Sequence, residues 1–178
     1  KISIDDLESK LGRAQAEDHP VIMIVSVAGT TELGSFDPID HINRSLEEKQ
    51  RLGIHIWHHV DAAYGAFFCA TKLSPPSVLS QESVSALRGL KTATSITLDP
   101  HKLGYVPYSC GAFIVRDPND YQRKPPKAPY LQVDLEKDPG PQTLEGSRSS
   151  AGAAATWMTA HCTGFHSQGY GQILERNV

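Results

Sequence analysis

Ser95-Ile96-Thr97-Leu98-Asp99-Pro100-His101-Lys102 holds a short run of β-branched and apolar residues that breaks at a carboxylate, a proline and two basic side chains. Such a run is too short for a helix and suits a buried strand, and Pro100 cannot continue a ladder. His101 and Lys102 are therefore expected just past the carboxyl end of a strand. The same grammar recurs upstream. Residues 54–60 read as a strand that stops at Asp61, in His58-His59-Val60-Asp61-Ala62-Ala63-Tyr64-Gly65. Residues 20–28 form a continuous apolar run ended by Gly29-Thr30-Thr31, and read as a strand buried on both faces. Residues 110–116 are a fourth strand.

Helical patterns separate these strands. Residues 4–17 read as a helix with Asp5 and Asp6 at its positive end. Asp37-Pro38 opens a second, with Asp37 as N-cap and Pro38 at the first helical position. Ile39, Ile42 and Leu46 share its inner face, and Gly53 stops it. Residues 80–90 form a short third helix. The alternation predicts an α/β fold: a mostly parallel sheet with helices on both faces. The brief link between the third and fourth strands allows that pair to be antiparallel. Residues 117–143 are polar and proline-rich, a length of loop that is usually functional or disordered. Residues 147–163 form an alanine-rich helix suited to close packing.

Composition narrows the classes. The chain has 178 residues, 39% hydrophobic and 21% charged, with a formal net charge of -3. That fits one globular domain, and the charge argues against a general nucleic-acid partner. No apolar run reaches the roughly 18–20 residues of a membrane span. Cys69, Cys110 and Cys162 form no C-x-x-C pair and are expected as reduced thiols in a cytoplasmic protein. Opening on Lys1, the chain is expected to be a piece or a processed product of a longer one. Strand alternation puts His58 on the opposite face from His55 and His59, which speaks against a three-histidine metal site.

A lysine and an aspartate, each delivered at a strand end, are the minimal protein share of pyridoxal phosphate chemistry. Three strings extend this reading: Gly29-Thr30-Thr31-Glu32-Leu33-Gly34-Ser35-Phe36-Asp37, His59-Val60-Asp61-Ala62-Ala63-Tyr64, and Asp99-Pro100-His101-Lys102. In this order they resemble the group II pyridoxal-phosphate-dependent amino acid decarboxylases. Leu103-Gly104-Tyr105-Val106-Pro107-Tyr108 and Leu144-Glu145-Gly146-Ser147-Arg148 look most like the microbial tyrosine decarboxylase branch.

The resemblance implies part of the large domain of a fold type I pyridoxal-phosphate enzyme, with residues 1–178 lacking the upstream phosphate loop and the C-terminal small domain. It implies pyridoxal 5'-phosphate as cofactor, an L-amino acid substrate, aromatic and tyrosine-like, and an amine product. It also implies a homodimer with its site near the interface. By position, Lys102 matches the Schiff-base lysine, Asp61 the partner of the pyridine nitrogen, and Ala63 the small residue on one ring face. Thr31 matches a partner of the phenolic oxygen, and His101 a residue reaching phosphate or substrate. His59, two before Asp61, is a candidate supporting residue. Tyr130, 28 residues after Lys102, matches the loop tyrosine credited with returning a proton, with Tyr121 as rival. Arg148 is a candidate anion holder or structural ion pair. Other readings stay open: another imine reaction on this fold (carbon–carbon cleavage or aldehyde-forming oxidative deamination), an acidic amino acid as substrate, an inactive relative with an interaction role, or a metal hydrolase.

Overall fold

The structure, a computed structural model, describes residues 1–121 and 148–178. Four strands form one sheet in the order β1 (Met23–Val27), β2 (Trp57–Asp61), β3 (Ser95–Leu98), β4 (Ala112–Val115). β1, β2 and β3 run parallel, and β4 pairs antiparallel to β3, with Thr97 opposite Phe113. The helices are α1 (Ile4–Ala16), α2 (Ile39–Arg51), α3 (Gln81–Gly89), α4 (Ala151–Cys162) and α5 (Tyr170–Glu175), with a 3-10 segment at Gly65–Ala70.

The α/β fold with a mostly parallel sheet is as expected, and the helices that pack on that sheet among the described residues lie on one face. α2 and α3 pack on one face, where Ile39, Val60, Leu87 and Leu90 form a core with Ile96 against it. α1 extends the same layer through Leu11, which meets Ile24, Ile42 and Leu46. Strand order supplies the reason. Steps from β1 to β2 and from β2 to β3 go the same way across the sheet, and right-handed crossovers in one direction place their helices on one side. Helices reach both faces only where the order reverses. The expectation that β1 is buried on both faces fails for the same cause: Ile24 and Ser26 are buried, while Met23 and Val25 are about half exposed (49% and 52%). α4 buries none of its residues fully, and Trp157 and Met158 are exposed; its close approach lies at Gly152, where a Cβ would meet the Ser109 carbonyl oxygen at 2.8 Å.

Asp37 was expected to cap α2. Instead its carboxylate accepts from the Ile2 backbone N–H at 2.7 Å and from that of Val27 at 2.8 Å, and Pro38 takes the N-cap position. The carboxylate thus ties two half-buried amides from separate segments, Ile2 before α1 and Val27 at the end of β1, to the start of α2. Capping holds elsewhere: Ser80 Oγ accepts from Ser83 N–H at the start of α3, and Gly53 closes α2 at a φ of +83°, where a side chain is strained.

Candidate active site

The parallel register sets the site. Asp61 ends β2 opposite Thr97 of β3 and Val27 of β1, so one face carries Trp57, His59 and Asp61 beside Ser95 and Thr97. This is the face that the helices leave open. Lys102 lies four residues beyond β3, and Asp61 at the same end of the neighbouring strand. That end, outside the carboxyl termini of parallel strands, is where α/β sheets bind ligands.

Asp61 is exposed, and its Oδ1 accepts from the Ala63 N–H at 3.1 Å, while Oδ2 has no hydrogen-bond partner among the described residues. Ala63 is itself buried. Lys102 Nζ does not meet Asp61; it pairs with Asp99 Oδ2 at 2.9 Å. His101 is half-buried. A carbonyl only accepts, so its short bond to the Cys110 carbonyl places the proton on Nδ1. Nε2 then faces Asp99 Oδ2 at 3.8 Å, and the ring packs on Tyr108 with centroids 4.2 Å apart. Thr31 is exposed in the turn that follows β1, where Gly34 N–H donates to the Thr30 carbonyl at 2.8 Å. The structure thus brings Asp61, Ala63, Thr31, His101 and Lys102 to one end of the sheet. Tyr130 lies outside the described residues, and so does the side chain of Tyr121.

The paired histidines have opposite fates. His59 lies on the open face, with Nδ1 2.8 Å from Ser95 Oγ and Nε2 3.1 Å from Thr97 Oγ1, and its ring stacks on Phe113. Ser95 Oγ also accepts from Trp57 Nε1–H at 2.8 Å. Burial pushes the His59 imidazole below its usual range, and the Asp61 carboxylate pulls the other way. His58 points into the helix side and is buried. Asn43 Nδ2 donates to the Gly89 carbonyl at 2.8 Å, which fixes the amide's orientation and turns Oδ1 toward His58 Nδ1 at 2.7 Å. The His58 proton is therefore on Nδ1, and Nε2 accepts from Ser26 Oγ at 2.8 Å. With both nitrogens committed to a neutral ring, burial and then His59 push its pKa down to about 4.

The model of the pyridoxal-dependent decarboxylase conserved domain matches residues 1–178. The chain belongs to this family. An L-tyrosine decarboxylase of Levilactobacillus brevis is 32% identical over 199 residues, covering 97% of this chain and 32% of that protein. An aspartate 1-decarboxylase of Aliivibrio fischeri is 38% identical over 149 residues, covering 84% of this chain and 25% of that protein. Among solved structures, that of mouse CSAD superimposes with a TM-score of 0.74 at 26% identity, over 99% of this chain and 34% of that one. The chain thus spans about a third of the length of such relatives.

The observed side chains suit the family's cofactor. Its pyridine nitrogen and its aldehyde-bearing carbon are para on the ring, so the two groups that hold them must not neutralise each other. Lys102 and Asp61 do not pair, and the free Oδ2 of Asp61 is an acceptor for a pyridine N–H. Two contributors escaped the sequence reading. Asp99 signals its pairing only through its i,i+3 spacing from Lys102. Ser95, which joins Trp57 to His59, is legible only once the β2–β3 register is known.

Proposed function

We propose that the chain is the cofactor-attachment part of the large domain of an amino acid decarboxylase acting on an aromatic, tyrosine-like L-amino acid and releasing the amine. The observation that carries this is the delivery of Lys102, and of an Asp61 carboxylate that forms no ion pair among the described residues, at the carboxyl ends of adjacent parallel strands. When bound, pyridoxal phosphate supplies the electron sink for the pair left behind as carbon dioxide departs. Lys102 Nζ holds the cofactor covalently. Asp61 Oδ2 accepts the pyridine N–H, and its charge keeps that proton in place. Ala63 leaves room for the ring, Thr31 offers a hydroxyl, and His101 turns Nε2 toward the same space. His59, locked by Ser95 and Thr97, shares the face of β2 that carries Asp61 and feels its charge. Tyr130 is proposed to return the proton to the α-carbon.

The relatives that are L-tyrosine decarboxylases support an aromatic substrate. The aspartate 1-decarboxylase, at 38% identity, supports an acidic one as second reading. A homodimer with its site near the interface, and a cytoplasmic location, belong to the same proposal. The open face bearing Met23, Val25 and Phe113 and the three free thiols are what support them. No helix of the described residues is long and apolar enough to cross a membrane.

Borohydride reduction of the full-length holoenzyme, then peptide mapping, should place the pyridoxyl label on Lys102 alone. A label on another lysine refutes the assignment. Incubation with tyrosine, aspartate, 2,4-diaminobutyrate and glutamate, with amine, aldehyde and peroxide measured separately, decides substrate and product. Aspartate turnover without tyrosine turnover selects the second reading.

A further inference from the structure

We infer that Asp99 is a positioning residue, the counter-ion that seats the Lys102 amine whenever that amine is not bonded to cofactor. The inference rests on the reading of Lys102 as the attachment residue. Asp99 Oδ2 lies 2.9 Å from Lys102 Nζ, and the carboxylate is mostly shielded, at 15% exposure against 36% for the lysine. A carboxylate so placed is a stronger partner than a surface one, because little water competes for it.

The surroundings hold Asp99 rather than letting it swing. Its backbone N–H donates to the Ala63 carbonyl at 3.2 Å, and its own carbonyl accepts from the Lys102 N–H at 2.9 Å. The acid and the lysine are thus bonded through both backbone and side chain within one turn. On the other side, a Cβ at Gly111 would lie 3.1 Å from Asp99 Oδ1, so glycine there leaves the carboxylate its seat. His101 Nε2, at 3.8 Å, is too far to hydrogen-bond the oxygen that Lys102 uses, and its Nδ1–H is spent on the Cys110 carbonyl. Asp61, the other carboxylate of the site, forms no ion pair with Lys102. Asp99 therefore does for the resting amine what Asp61 does for the ring nitrogen, and the two acids divide the work along the site. An asparagine at 99 would keep the shape and lose the charge.

The test uses the full-length protein freed of cofactor. Trace acetylation of Lys102 at pH 8, mapped by peptide mass spectrometry with exposed lysines as internal references, reads how firmly the amine is held. Asp99→Asn should label Lys102 about fivefold faster, and Asp99→Glu should restore protection. In the parent protein, raising salt from low to high should speed Lys102 labelling more than that of the references, since screening weakens an ion pair. Unchanged Lys102 labelling in a folded Asp99→Asn protein overturns the inference; so does the absence of any salt effect in the parent, should the variant not fold. Borohydride mapping on the same preparations separates the two readings. A label on Lys102 with no effect of Asp99 leaves the attachment reading standing and removes the counter-ion. A label elsewhere removes both.

Discussion

Lowering the pH from 7 to 5 should cost the fold about 2 kcal/mol through His58 alone. The folded imidazole accepts a proton only near pH 4, whereas the unfolded one does so near 6.5. Between those values the unfolded chain binds more protons, so acid favours unfolding; the stability is fully present above 6.5 and is lost as pH falls toward 4. At pH 5 the unfolded ring is almost wholly charged and the folded ring is still mostly neutral, which gives the figure above. The structural cause is specific. Nδ1–H is committed to Asn43 Oδ1, whose amide cannot flip without facing its NH2 group away from the Gly89 carbonyl. Nε2 accepts from Ser26, and among the described residues no carboxylate bonds to this ring to stabilise a second proton. Urea unfolding of the full-length protein at pH 7 and pH 5, parent against His58→Gln, isolates this contribution. The parent should lose about 2 kcal/mol more between the two pH values than the variant, whatever their absolute stabilities. Equal losses would mean that His58 does not titrate as its neighbours dictate.

Asp61→Asn should retain cofactor and lose most turnover, on the order of a few kcal/mol of barrier, because an oriented charge is removed; near-parental kcat sinks the role given to this carboxylate. Tyr130→Phe should bind cofactor and substrate normally and release amine slowly, with aldehyde formed under oxygen. Parental amine output from that variant, with loss in Tyr121→Phe, transfers the role to the rival tyrosine. Gly65→Ala should cost roughly 1–3 kcal/mol or more by overpacking, since a Cβ there meets the Ala28 carbonyl oxygen at 2.3 Å; an unchanged denaturation midpoint is the contrary result.

Local chemistry made much of this fold legible. β3 spans Ser95–Leu98, as its β-branched run requires, and α1 and α3 begin where Ser3 and Ser80 supply capping oxygens. The position of the reactive residues followed from the same source, because an abrupt polar break after an apolar run is a strand end. What sequence alone did not show was relational. The one-sided helix layer depends on the order in which strands lie, which no single segment encodes. The role of Asp37 depends on two amides that belong to other segments, Ile2 and Val27. Asp99 entered only as the first residue of the Asp99-Pro100-His101-Lys102 string, and only its side-chain geometry makes it the partner of Lys102.

The one-sided layering divides the sheet by solvent. Its helix side holds His58 dry and neutral, while its other side exposes Asp61 along with half of Met23, Val25 and Phe113. A carbanion formed beside Asp61 would be quenched by bulk water before any chosen donor reached it. On the proposed function, control over the proton would then come from whatever roofs this face, with the described residues as its floor. On the proposed function, a change that loosened the roof while leaving Lys102 and Asp61 untouched would alter where the returning proton comes from before it altered cofactor binding.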